Sequence, residues 1–234
     1  MGIFMPAPHE TLSDLIKQTL TAFSINADGN DKPRVLVSAC LLGERVRYDG
    51  DDRREPLVAD ALSRWLDYRP MCPEVGIGMP VPRPPIQVVS IAGIQHARAV
   101  AHPHEDASDA LTRYAMQLPA DIDGILLKAR SPSCGVGSTP LHDENGKDTG
   151  RLTDGLVAAR LAERFPALAR SDEQALADTG QSLAFVTHCW LYRQWRQGHT
   201  MDSDLVAWQH HCLQIGTAPF LYLAERLQHW RGRP

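Results

Sequence analysis

Leu12, Leu15, Ile16, Leu20 and Phe23 recur at the spacing of one helical face, so residues 10–24 read as an amphipathic helix capped by Thr11 or Ser13. The stretch from Asn26 to Asp31 is polar and contains glycine, and it sets this helix apart. Val35-Leu36-Val37 is a short unbroken apolar run that closes into Ser38-Ala39-Cys40, the pattern of a strand buried on both faces. Leu57, Val58, Ala61, Leu62 and Trp65 return to helical spacing, and Tyr68 to Met71 extends again before Cys72-Pro73-Glu74. Residues 79–85 read Met-Pro-Val-Pro-Arg-Pro-Pro; proline has no amide to donate, so only a stiff extended loop fits. Short strands are expected over 86–91 and 97–101, and a helix from Ser108 through Leu118. A further apolar run follows over 124–128, then a helix over 155–165. Strands alternating with helices make right-handed crossovers and a mostly parallel sheet, so the fold class is α/β with flanking helices.

The texture changes near residue 173. Trp190, Trp195, Trp208 and Trp230 all lie beyond it; Leu205, Trp208, Cys212 and Ile215 share one helical face, and Phe220, Leu223, Leu227 and Trp230 another. Three parts result: an N-terminal helical extension over 1–30, an α/β domain over 31–172 and a helical appendage over 173–234. Tryptophan at helical spacing is a core signal, so the appendage is expected to pack on the α/β domain or on a second copy, as a homodimer contact, and to narrow the approach to the site.

With 234 residues the chain is long enough to bury a full core, and no segment approaches the roughly 20 apolar residues of a membrane helix. The opening Met1-Gly2-Ile3-Phe4-Met5-Pro6 lacks the basic start and apolar stretch of a secretory signal, and Pro6 stands where a myristoylation motif needs Ser or Thr. Five cysteines, an odd number, argue against a disulfide scaffold and for reduced thiols in the cytoplasm. A net charge of −4 gives no electrostatic pull toward a phosphate backbone. Arg45, Arg47, Arg53 and Arg54 interleave with Asp49, Asp51, Asp52 and Glu55, which reads as a mixed-charge solvated loop.

Cys40, Cys72 and Cys134 each follow an apolar or extended run. In a parallel α/β sheet the carboxyl ends of the strands meet along one edge, where ligands bind, so three cysteines distant in sequence would converge there. Three soft sulfurs suit zinc or an iron–sulfur cluster, while three unrelated buried cysteines remain an alternative on spacing alone. His188-Cys189 and His210-His211-Cys212 are a poorer zinc candidate, because Cys212 lies on an apolar face.

Four motifs in order carry a more specific signal: Val37-Ser38-Ala39-Cys40-Leu41-Leu42-Gly43 with Arg47-Tyr48-Asp49-Gly50, then Cys72-Pro73-Glu74-Val75, then Pro82-Arg83-Pro84-Pro85, then Lys128-Ala129-Arg130-Ser131-Pro132-Ser133-Cys134-Gly135. Together they resemble the thiouracil desulfidase family over about residues 33–170. The resemblance implies a Rossmann-like fold and a [4Fe-4S] cluster on Cys40, Cys72 and Cys134. It also implies removal of sulfur from a thiolated pyrimidine to give the oxo-pyrimidine and sulfide. By the same resemblance Glu74 matches the catalytic glutamate and Ser131 the catalytic serine.

The chemistry so implied suits those residue types: an open iron would polarise the C–S bond, Glu74 would take a proton from the attacking water, and Ser131 would assist proton transfer. Arg83, in the proline-rich loop, is a candidate for a substrate phosphate or carbonyl, with Ser38 and Tyr48 as further substrate-binding candidates. The expected partner is a thiolated base or nucleotide, with thiolated tRNA as a variant that the acidic charge disfavours. The other class of function is a non-catalytic iron–sulfur or zinc protein, a sensor or electron carrier.

Overall fold

The computed structural model describes residues 11–27, 29 and 31–230; the expectations placed on Met1–Pro6 lie outside the described residues. In chain order the first half forms α1 (Leu12–Ala22), β1 (Arg34–Ser38), β2 (Asp67–Met71), α2 (Pro73–Gly76), β3 (Ile86–Ile91), β4 (Ile94–Ala99) and α3 (Ser108–Gln117). The second half forms β5 (Gly124–Leu127), β6 (Thr139–His142), β7 (Asp148–Thr153), α4 (Leu156–Arg164), β8 (Ala169–Asp172), α5 (Thr179–Arg196), α6 (Asp202–Ile215) and α7 (Ala218–Gln228).

Thr11 caps α1 through a capping box: its hydroxyl accepts from the Asp14 amide, and the Asp14 carboxylate accepts from the Thr11 amide. The apolar spacing over 57–65 makes no regular α-helix. Leu57–Ala61 winds as a π-helical turn and Leu62–Arg64 as a 3-10 turn, while the Tyr68 hydroxyl donates to the Val58 carbonyl at 2.9 Å. The Tyr68 hydroxyl thus ties β2 to this turn through one of the two lone pairs of the Val58 carbonyl.

A parallel sheet in the order β2-β1-β5-β8 forms the centre of the fold. Because successive strand residues face opposite ways, Val35 and Val37 enter the core on one side and Leu36 the core on the other; Leu126 and the pair Ile125/Leu127 divide likewise. The first side is covered by α1, α5, α6 and α7, the second by α3 and α4. The unbroken apolar runs are therefore the mark of strands buried on both faces.

A second sheet, order β4-β3-β6-β7, is antiparallel except where β3 meets β6. The strands expected over 86–91 and 97–101 are β3 and β4, which pair as an antiparallel hairpin. Ala92 and Gly93 both take positive φ (49° and 82°), the two-residue turn that matches the twist of antiparallel strands.

The C-terminal helices belong to the same packing as the sheet. Phe185, Cys189 and Trp190 of α5 share a core cluster with Val35, Val37 and the α1 residues, and Leu223 and Leu227 of α7 join it together with Trp230 just beyond that helix. Gly124 permits the approach: a Cβ there would sit 2.5 Å from the Cys189 sulfur. Asp123, fully buried before β5, accepts from Arg193 at 3.0 Å, Arg196 at 2.9 Å and the Arg34 amide at 2.8 Å, locking α5 to β1. Trp190 and Trp230 are buried, and Trp208 donates to the Phe23 carbonyl at 3.2 Å. Among the described residues no helix is long and apolar enough to cross a membrane.

Candidate active site

The carboxyl ends of the parallel strands open into one cavity of about 460 Å³, within the range of roughly 300–1,000 Å³ usual for small-ligand sites. The order β2-β1-β5-β8 reverses between β1 and β5, and the cavity lies at that switch point. Cys40 enters from the 3-10 turn Ala39–Leu42 after β1, Cys72 directly after β2 as the residue preceding α2, and Cys134 from the loop after β5. The same cavity is lined by Ser38, Tyr48, Glu74, Arg83 and Ser131. All eight residues singled out from the sequence therefore meet in one place. Cys189 and Cys212 do not: both are buried in the core on the side of α1 and α5.

Burial pushes the Cys40 thiol up to about 11, offset in part by Arg47 and Lys128 and reinforced by Cys72. Burial raises Cys72 too, against hydrogen bonds from the Val75 and Glu74 amides and the charge of Arg83. It raises Cys134 further, against a hydrogen bond from the Ser38 hydroxyl. The three sulfurs thus lie within electrostatic reach of one another. Without a cation they are neutral thiols, and a bound cationic centre is what would make thiolates of them.

Among the described residues no three His, Cys, Asp or Glu side chains come close enough to hold one metal ion. Three soft, separated sulfurs around a cavity suit a polynuclear cluster, in which each thiolate takes its own iron, better than a single zinc. His188 Nε2 donates to the Ala167 carbonyl, 3.0 Å away, and His211 packs edge-on against Phe23; among the described residues the histidines of the C-terminal stretch join no cluster of three possible metal ligands.

Glu74 sits in the first turn of α2 and is held at both carboxylate oxygens. Its Oε2 accepts from Arg83 Nε at 2.8 Å, its Oε1 from the Ser133 hydroxyl at 3.0 Å. The Ser131 hydroxyl oxygen accepts from the amides of Ser133 (3.3 Å) and Cys134 (3.1 Å), which shapes the loop and leaves the hydroxyl proton free to donate.

Two of the substrate-binding candidates are turned to the protein instead. Arg83 is almost fully buried; besides Glu74 it donates through Nη1 to the carbonyls of Val46 (2.9 Å) and Pro80 (3.3 Å), and through Nη2 toward the Cys72 sulfur at 3.9 Å. Of its five N–H groups one is left over. The Ser38 hydroxyl accepts from the Lys128 amide at 2.9 Å and donates to the Cys134 sulfur. Tyr48 remains open to the cavity, its ring carrying the Arg47 guanidinium 5.3 Å from its centroid.

Sequence reading passed over Ser133, fully buried on Glu74, and the Lys128–Glu173 ion pair, in which Glu173 also accepts from the Ala129 amide at 2.7 Å. The signal for Glu173 was available: it follows β8 as the cysteines follow the other strands. Arg47 and Arg53 pair with Asp49 and Asp51, as a mixed-charge loop would. Every residue lining the cavity falls within 38–134, so the expectation that the C-terminal helices narrow the approach is not met. Their apolar faces are consumed by the core of the sheet's other side.

Fold and site define an α/β protein with a three-cysteine centre and a fixed carboxylate at the switch point of a parallel sheet. The model of the 2-thiouracil desulfurase family matches residues 35–173, more than half of the chain, and the chain belongs to that family. Among solved structures it is similar to a protein described as the [4Fe-4S]-dependent thiouracil desulfidase TudS. Identity is 31%, the match covers 65% of this chain and 99% of that one, and the TM-score is 0.49. The comparison with curated proteins gives no match.

Proposed function

We propose that the protein is a [4Fe-4S]-dependent desulfidase that converts a thiolated pyrimidine base or nucleotide and water into the oxo-pyrimidine and sulfide. The observation that carries the reading is the single cavity in which Cys40, Cys72, Cys134, Glu74 and Ser131 meet from three separate segments. Family membership supports it. So does the description of the 31% identical relative as [4Fe-4S]-dependent.

Cys40, Cys72 and Cys134 would hold the cluster, which when bound supplies Lewis acidity and one open position for a soft sulfur. The exchange of sulfur for oxygen leaves the oxidation state of the ring unchanged, so the chain's own residues need only position water and move protons. Glu74, fixed by Arg83 and Ser133, accepts the proton of the attacking water. Ser131, whose oxygen already accepts from two amides, donates its own proton to a ring heteroatom or to the departing sulfur. Tyr48 lines the path for the pyrimidine, and Ser38 and Arg83 hold the ligand and base they touch. Five free thiols suit a reducing cytoplasm.

The test is anaerobic reconstitution with iron and sulfide, followed by sulfide release from 2-thiouracil, 4-thiouracil and thiouridine nucleotides. Turnover with at least one of them, and a product oxygen that comes from water, is the expected result. Glu74→Gln should keep its iron and lose about 10²-fold in turnover. A reconstituted protein inert on the whole panel overturns the reading in favour of a sensor or electron carrier.

A further inference from the structure

We propose that Ser133 is a positioning residue: it fixes the Glu74 carboxylate against the loop that carries Ser131 and Cys134. The inference rests on the desulfidase reading for its kinetic consequence, though not for the contact itself.

Ser133 is fully buried, and its hydroxyl donates to Glu74 Oε1 at 3.0 Å. Glu74 stands on α2, 59 residues earlier, so this bond ties two separate strand ends together. Arg83 takes only the other oxygen, Oε2, through a single N–H at 2.8 Å. One donor leaves a carboxylate free to rotate about its last torsion, which is broad and weakly restrained. Two donors on different oxygens fix the plane, and the remaining lone pairs then point in a set direction.

The backbone of Ser133 is itself anchored. Its carbonyl accepts from the amides of Val157 (3.0 Å) and Ala158 (3.2 Å), and the Pro132 carbonyl from Leu156 (3.0 Å). These are amides of the first turn of α4, which have no partner within the helix. The Ser133 amide in turn donates to the Ser131 hydroxyl. Glu74 is therefore referred, through one hydroxyl, to the start of a rigid helix and to the loop that places the third cysteine. Arg83, which holds the other oxygen, also reaches toward the Cys72 sulfur.

Ser133→Ala in the reconstituted protein tests this. Iron content and the visible spectrum of the cluster should stay as in the wild type, KM for the thiopyrimidine should change little, and kcat should fall about 10-fold, the size expected for one hydrogen bond to a charged group. In a Glu74→Gln background the same substitution should have no further effect, because Ser133 acts only through the carboxylate. Ser133→Thr, which keeps the hydroxyl, should recover most of the loss.

An equal loss in both backgrounds, loss of iron, or an unchanged kcat each overturns the proposal. A readout that needs no turnover is the carboxyl carbon resonance of Glu74 in glutamate-labelled protein, assigned by its disappearance in Glu74→Gln. It should shift in Ser133→Ala and return in Ser133→Thr. An unshifted resonance refutes the contact. A shifted resonance in a protein inert on every thiopyrimidine keeps the contact and refutes the desulfidase reading alone.

Discussion

Replacing Gly155 by alanine should disable the site without substituting any residue that lines it. Gly155 precedes α4 with φ −67°, a value any residue adopts, so the glycine is not there for its backbone freedom. It is there for space. A Cβ at this position would lie 2.6 Å from the Ser133 carbonyl carbon, 2.8 Å from the Cys134 nitrogen and 2.8 Å from the Ser131 oxygen. Ordinary carbon contacts begin near 3.5 Å, so the loop must retreat by roughly 0.9 Å. All three atoms are backbone and cannot swing aside as a flexible side chain would. Overpacking of this kind costs about 1–3 kcal/mol. A displacement near 1 Å in a catalytic group costs on the order of 10²-fold in rate. The assay is iron per chain after anaerobic reconstitution, with sulfide release measured alongside. Gly150→Ala is the control: its φ is +71°, but the space around it is open and it lies on the exposed β7. That variant should be somewhat less stable, with iron and turnover intact. Wild-type iron content and turnover in Gly155→Ala would refute the packing argument, and with it the claim that the loop's position matters to a fraction of an ångström.

Two further predictions concern the core. His188 is buried, and desolvation pulls its pKa down to about 4. The unfolded chain, near 6.5, binds the proton more readily, so stability is complete above about pH 6.5 and falls by up to ~3 kcal/mol as pH drops toward 4. Urea midpoints measured from pH 7 to 5 should show this decline, flattened in His188→Gln; an equally steep decline in that variant would exclude His188 as its source. Asp123→Ala leaves the buried Arg193 with only the exposed Asp31 as a carboxylate partner and should cost about 3–5 kcal/mol by chemical denaturation, and a loss below about 1 kcal/mol would show that α5 does not depend on the Asp123 contacts.

What could be read along the chain was whatever depends on near neighbours. The Thr11 cap, the proline loop over 79–85 and the doubly buried runs at 35–37 and 124–127 are set by spacing and by which residues can donate an amide. The three cysteines were legible because strand direction in a parallel sheet is itself a local consequence of alternating strands and helices. The hairpin at Ala92-Gly93 escaped notice because its turn rests on backbone sign at an alanine, which residue type does not announce. The π-helical turn escaped because apolar spacing over 57–65 does not distinguish an α-helix from a π-helical turn followed by a 3-10 turn.

The state of the site was decided only by tertiary contact. Arg83 looks equally able to meet a substrate or the protein until Glu74, Val46 and Pro80 are seen around its guanidinium. Ser133 is one serine in a motif until its hydroxyl is found on a carboxylate 59 residues away. The C-terminal tryptophans were rightly core by their spacing, but which side of the sheet they cover could not be read, because two helical faces of similar apolarity can dock on either side. Sequence alone thus determined the family to which the chain belongs and which strand ends carry the residues that meet in the cavity. The fold decided which donors are satisfied internally and which remain for a substrate, because hydrogen-bond partners are chosen by distance in space, and residues far apart in the chain have no local pattern that records it.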